Sequence, residues 1–254
     1  MGAGHSHPLY VHAHTPMHRA APQVKLVATV VFVMAVVSTP REAIWAFATY
    51  AVVLGVLARA AHIGPRHMTR RLLLELPFLG FALFLPFVGG GERVEVSGVS
   101  LSVAGLWGAW NIMVKGTLGV AAAVILTATT SAPEILQALD RLRLPPILVQ
   151  ITSFMIRYID VIGADMRRMR IARESRGSSP RWISQARAVG MSAGALFVRS
   201  FERGERVHVA MLSRGYAGRL PHTEYPATER RELLSAAVLP SLALMVCTTA
   251  WVLQ

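Results

Sequence analysis

The residues in this chain best placed to do chemistry come as a pair of arginine-ended strings. "RMRIARESRG" occupies residues 168–177, and "RVHVAMLSRG" begins thirty-eight residues further on, at 206. In register the two agree at five positions: Arg168 with Arg206, Ala172 with Ala210, Ser175 with Ser213, Arg176 with Arg214, Gly177 with Gly215. Each string therefore finishes Ser-Arg-Gly. Glycine takes the left-handed conformation that closes a helix, and an arginine in a last turn favours the helix dipole by roughly 0.3–1 kcal/mol. A single ending of this kind needs no further role. A repeated one points to a shared job. Guanidinium is a planar fork of five donors that pairs with carboxylates or with carbonyls at another helix end. Two forks on two rigid rods can grip two equivalent sites, such as a two-fold or pseudo-two-fold partner presents.

Other chemistry is sparse. The only lysines are Lys25 and Lys115, and neither is followed by Ser or Thr, so there is no Walker A loop and no ATP hydrolysis by this chain alone is expected. Neither a His-Glu-x-x-His zinc site nor a serine-hydrolase elbow is expected. "GERVEVSG" supplies carboxylates without a partner histidine. His5, His7, His12, His14 and His18 could bind a transition metal, since imidazole suits cobalt and nickel, or could be incidental to a flexible tail. Cys247 stands alone in an apolar run, which leaves no disulfide framework and no cysteine metal cluster. No resident cofactor or metal is expected.

These residues must be carried by a membrane protein. The chain has 254 residues, 53% of them hydrophobic, a formal net charge of +12 and 16% charged residues, against about 25% in soluble domains. Such a basic excess in a greasy chain usually sits in cytoplasmic loops, and no nucleic-acid reader motif accompanies it. Residues 1–19 are polar and His-rich without a signal peptide's order, so the first apolar run is expected to stay in the protein. A span takes about 17–25 apolar helical residues. Five candidates follow, at about 20–37, 43–60, 72–88, 103–127 and 233–253. Pro77 and Pro86 predict a kink in the third. Lys115, inside the fourth, is either functional or engaged in pairing or snorkelling.

Arginine marks the cytoplasmic side. The loop with Arg59, Arg66, Arg70 and Arg71 is then inside and "GGGERVEVSG" outside, which puts the N-terminus inside. The resulting organisation is a His-rich cytoplasmic tail at 1–19, four spans within 20–130, cytoplasmic coupling helices at 131–231 and a last span at 232–254. Within the cytoplasmic stretch, Ser131 and Glu134 form a capping box that opens a short helix, stopped by Pro145. Two long helices follow, at about 147–175 and 181–213, each apolar at first and charged toward its end. Ala186, Gly190 and Gly194 make one face of the second smooth enough for another helix to approach.

Two arginine-glycine ends on long cytoplasmic helices, behind four spans and before a last one, resemble the transmembrane T component of energy-coupling factor (ECF) transporters. The resemblance runs from about residue 20 to the end, and "RSFERGERVHVAMLSRGYAGRLP" (199–221) is especially similar to the cobalt-transport branch, CbiQ. That family's signature is a pair of Ala-Arg-Gly-type motifs; here serine stands in place of alanine both times. The resemblance implies an all-α polytopic protein in the cell membrane (the inner membrane of a two-membrane cell), multi-pass, that is not an enzyme. It implies that Ser175, Arg176, Gly177, Ser213, Arg214 and Gly215 dock into grooves of an ABC ATPase dimer. It also implies that a separate substrate-capture membrane subunit binds the cargo, cobalt in that branch and linked there to cobalamin biosynthesis. A conventional ABC permease subunit would instead meet its ATPase through one short coupling helix. A polytopic membrane enzyme acting on lipid or peptide would need paired acidic or histidine residues in the spans, which offer Glu75 and little else.

Overall fold

The computed structural model describes residues 20–96, 99–177, 186–218 and 230–253. They fall into two compact units, residues 1–138 with 227–254, and residues 139–226.

The first unit is a helical bundle with one small hairpin. Its elements are α1 (Pro22–Ser38), α2 (Ile44–Ala60), α3 (Pro65–Leu72), a 3-10 turn (Leu73–Glu75), α4 (Leu76–Val88), β1 (Arg93–Val96), β2 (Val99–Ser102), α5 (Val103–Thr129) and α9 (Arg230–Val252). Apolar chain in lipid must satisfy its own backbone, and the helix does this within one segment. The α5 helix is central: α1, α2, α3 and α4 all pack on it, while α9 packs on α1 and α2. Small residues make the approach close. Ala35, Ala46, Ala121, Ala122, Ala128, Ala243 and Ala250 are all buried, and they surround Phe32 and Tyr50, whose rings meet edge to face at 5.5 Å. At the α4–α5 crossing a side chain on Gly105 would bring its Cβ to 2.8 Å from Pro86 Cα, so only glycine fits there.

The two lysines are spent on helix ends. Lys115 Nζ donates to Val37 O at 2.7 Å, and Lys25 Nζ donates to Thr129 O at 2.9 Å. The last carbonyls of a helix have no partner in their own helix. Here α5 lends a cation to the end of α1, and α1 lends one to the end of α5. Trp251 Nε1 supplies a further donor, to Ser38 O at 3.0 Å. Of the roles open to Lys115, the structure shows pairing with a backbone carbonyl.

Where a kink was expected in the third span, the α-helical pattern is interrupted by the 3-10 turn Leu73–Glu75. Pro77 has no N–H to offer Leu73 O, so the helix tightens there. Pro86 stays inside α4. The "GERVEVSG" segment, read as a plain loop, is an antiparallel hairpin with Arg93 opposite Ser102 and Glu95 opposite Ser100. Its alternating Val94 and Val96 suit a strand.

By length and composition three stretches are apolar enough to cross a membrane: Met68–Val88, Val103–Thr129 and Pro146–Ser175. Pro22–Ser38, Ile44–Ala60 and Ala237–Val252 are apolar but shorter. The first two have 17 residues each, at the low end of what a bilayer needs. The third long stretch lies in the segment read above as a coupling helix.

The chain passes into the second unit through α6 (Ala132–Arg141), where Ser131 N donates to Glu134 Oε2 at 2.7 Å as a capping box requires. The second unit consists mainly of two long helices, α7 (Pro146–Ser175) and α8 (Ala186–Leu212).

Candidate functional site

Both repeated strings end long helices, and both ends are built alike. At the end of α7, Gly177 has φ +82° and its N–H donates to Glu174 O at 3.0 Å; Arg176 N–H donates to Arg173 O at 3.2 Å. After α8, Gly215 has φ +80° and its N–H donates to Leu212 O at 3.0 Å; Arg214 N–H donates to Met211 O at 3.0 Å. A residue with a Cβ is strained at these angles, which is why glycine closes both helices. Ser175 Oγ donates to Ala172 O and Ser213 Oγ to Val209 O, each at 3.0 Å, so both serine hydroxyls turn back onto their own helix.

The arginines between them are exposed. Among the described residues neither Arg176 nor Arg214 has a side-chain hydrogen bond or ion pair. Several arginines further back along the helices are engaged. Arg168 and Arg203 bond Asp165, Arg203 at 3.1 Å; Arg170 bonds Glu174 at 2.7 Å; Arg206 faces Glu202 at 4.0 Å. Among the described residues the terminal forks are left with free donors, while Arg168, Arg170 and Arg203 each bond a carboxylate.

α7 and α8 run in opposite senses. Gln150, near the start of α7, is held at the far end of α8: Tyr216 OH donates to Gln150 Oε1 at 2.6 Å, and Gln150 Nε2 donates to Gly218 O at 3.1 Å. Further along, Asp165 meets Arg203. Between these ties lies a cavity of about 270 Å³ lined by Phe154, Tyr158 and Ile162 on one side and Gly204, Val207 and Met211 on the other. The two arginine ends therefore lie at opposite ends of the pair.

Sequence reasoning missed Gln150, Tyr216, Asp165 and Arg203. The last two stand thirty-eight residues apart, the spacing of the repeat itself, and opposite charges at matching repeat positions were the available signal. On the smooth stripe of Ala186, Gly190 and Gly194, a Cβ on either glycine would meet nothing within 4 Å among the described residues. The same stretch, Gly190-Met191-Ser192-Ala193-Gly194, does match the Gly-x-Ser-x-Gly string of a serine-hydrolase elbow. It lies inside α8, with Ser192 Oγ bonded to Ala188 O at 2.9 Å, and not on the strand-to-helix turn an elbow needs. The five tail histidines lie outside the described residues.

A mostly helical chain with several apolar helices of about bilayer length has the architecture of a polytopic membrane protein. The sequence profile of the CbiQ family, described as cobalt transport protein, matches residues 13–225, and the chain belongs to that family. It is similar to MJ1089 of Methanocaldococcus jannaschii, with 32% identity over 102 residues, 40% of this chain and 38% of that protein. A candidate fused cobalt transport protein, CbiMQ, of Methanocorpusculum labreanum is 28% identical over 62% of this chain and 28% of its own length. The chain thus spans well under half the length of these two relatives. The energy-coupling factor transporter transmembrane protein EcfT of Bacillus selenitireducens is 27% identical over 85% of each chain. The CbiQ and EcfT proteins form a non-catalytic, multi-pass membrane family.

Proposed function

We propose that this chain is the transmembrane coupling subunit of an ATP-driven ECF importer, and that Arg176 and Arg214 dock it onto a pair of ABC ATPase subunits. Ser175, Gly177, Ser213 and Gly215 shape the two helix ends so that the guanidinium groups project. ATP-driven closure of the ATPase pair moves the two ends, and the membrane helices pass that movement to a separate substrate-capture membrane protein. The single observation that carries the reading is the matched pair of exposed arginines with free donors, on helix ends of the same geometry. Cobalt is the cargo the reading favours, supported by the family's description and by the name of the fused relative.

In this reading the N-terminus and the loop around Arg66 face the cytoplasm of a cell membrane, four spans lie within 20–130, the coupling helices within 131–231, and a last span within 232–254. The α7 helix is long and apolar enough to cross a bilayer, yet its partner is not suited to follow it. The α8 residues beside it include Arg199, Glu202, Arg203, Glu205 and Arg206, and each charge at a bilayer centre costs about 2.5–3.5 kcal/mol or more. A helix tied to α8 at Asp165, and at Gln150 to the segment that follows α8, is better accommodated outside the hydrocarbon.

Isolation of the tagged chain from its own membranes in mild detergent tests this function. The expected companions are ATP-binding-cassette subunits in pairs and a small polytopic membrane protein. Recovery of the chain with permease-type partners, or with no ATPase at all under conditions that preserve ATP-driven uptake, would overturn it.

A further inference from the structure

We propose that Asp165 and Arg203 sit on a local two-fold axis relating α7 to α8, and that this pair fixes the register in which the two arginine ends are presented. The proposal rests on the docking role argued above. The repeat matches residue 168 to 206 and 177 to 215, a constant offset of thirty-eight. By the same offset, Asp165 matches Arg203, and these two residues are in contact, Nη2 to Oδ2 at 3.1 Å. When two equivalent helices are related by a two-fold axis, the residue on the axis faces its own equivalent. Two identical charges there would repel. Asp165 and Arg203 stand three residues ahead of the two matching strings, and their opposite charges make an ion pair.

The Gln150 contact keeps the same antiparallel register. Gln150 lies fifteen residues before Asp165, and its partner Gly218 lies fifteen residues after Arg203. Arg176 lies eleven residues beyond Asp165, and Arg214 eleven beyond Arg203. At about 1.5 Å per residue each arginine stands roughly 16 Å from the axis. The pair is part buried: the Asp165 side chain is 16% exposed and that of Arg203 33%. Arg168 also bonds Asp165 from the same helix. Its repeat equivalent, Arg206, stands three residues after Arg203, where it faces Glu202 at 4.0 Å.

This arrangement matters because a two-point grip tolerates little slippage. If α8 slid by one turn along α7, one arginine would move about 5.4 Å while the other stayed in place, and a hydrogen-bonding fork cannot follow that far. Asp165 and Arg203 are positioning residues for Arg176 and Arg214.

The symmetry gives a sharp test, because exchanging the two charges should leave the register intact. A carboxylate placed at 203 would find Arg206 three residues on, as Asp165 now finds Arg168. The variants are Asp165→Arg, Arg203→Asp and the two together, each in the full chain carrying Cys247→Ser. Nitroxide labels at Ala172→Cys and Ala210→Cys, exposed and outside both Ser-Arg-Gly ends, leave the docking residues in place, and pulsed electron paramagnetic resonance reads the distance between them in detergent without any partner; uptake is measured in the unlabelled proteins. A single distance is expected in the parent. Either single change should shift it by about 5 Å or broaden it, and the double change should restore it. Equal distributions in all four proteins, or a double variant as disturbed as the worse single, would overturn the proposal.

ATP-driven uptake measured beside the distances separates this proposal from the docking role. Uptake at least tenfold lower in each single and within twofold of the parent in the double supports both. Distances that behave as expected while uptake never changes support the axis and contradict the docking reading.

Discussion

In the unit formed by residues 1–138 and 227–254, Phe32, Tyr50, Leu118 and Ile125 are buried among alanines of neighbouring helices. In the hairpin of α7 and α8, Met155, Phe197 and Phe201 are each at least 60% exposed, and the buried residues within the two helices are Gln150 and Leu196. The difference is one of who completes the packing. The first unit closes its helix ends with its own lysines and fills its crossings with its own small side chains. The hairpin is tied at a few polar points, and among the described residues its terminal arginines have no side-chain partner. Substitutions in the first unit should therefore read out as stability, and those in the hairpin as partnership.

The sharpest way to break that contrast is at Gly105. Gly105→Leu would drive a side chain into the backbone at Leu85 and Pro86, and overpacking of this kind costs about 1–3 kcal/mol. Thermal unfolding in detergent should fall by several degrees; an unchanged midpoint would mean that α4 is not held against α5. A smaller loss is expected at Lys115→Met, which removes the donor to Val37 O. The cost of about 1–1.5 kcal/mol should appear as reduced stability, with uptake per inserted molecule kept. Loss of uptake at full stability would give Lys115 a transport role beyond capping. The smallest effect is expected at Phe197→Ser on the exposed face of α8, within about 0.5 kcal/mol of the parent. A large drop there, in the isolated chain, would show that the hairpin is packed from within after all.

Much of this was readable from residue order. The capping box at Ser131 and Glu134, the glycines that end α7 and α8, and the matched arginines all depend on local chemistry, and local chemistry is written in short windows. The 3-10 turn before Pro77 was readable as a kink though not as a turn type. What the sequence did not disclose depends on tertiary neighbours. Nothing near Lys25 or Lys115 in the chain says that each meets the last turn of the other's helix. The Asp165–Arg203 contact hides because the two residues differ, and identity is what a repeat search rewards. The number of spans also depends on tertiary neighbours: α7 has an 18-residue stretch as apolar as a membrane helix, and its pairing with charged α8 argues otherwise.

The central claim is that Arg176 and Arg214 hold a two-site partner. It is tested most directly by co-purification of the ATPase with Arg176→Glu, Arg214→Glu and the double variant, each scored against its own membrane insertion. Breaking a buried, hydrogen-bonded charge pair typically costs about 2–5 kcal/mol, and with two linked sites the surviving one keeps a high effective concentration. Each single variant should thus retain part of its ATPase, and the double variant should lose it together with ATP-driven uptake. An inserted double variant that still recovers its ATPase at the parent's yield and still supports uptake would contradict the account and reduce both Ser-Arg-Gly ends to helix stops.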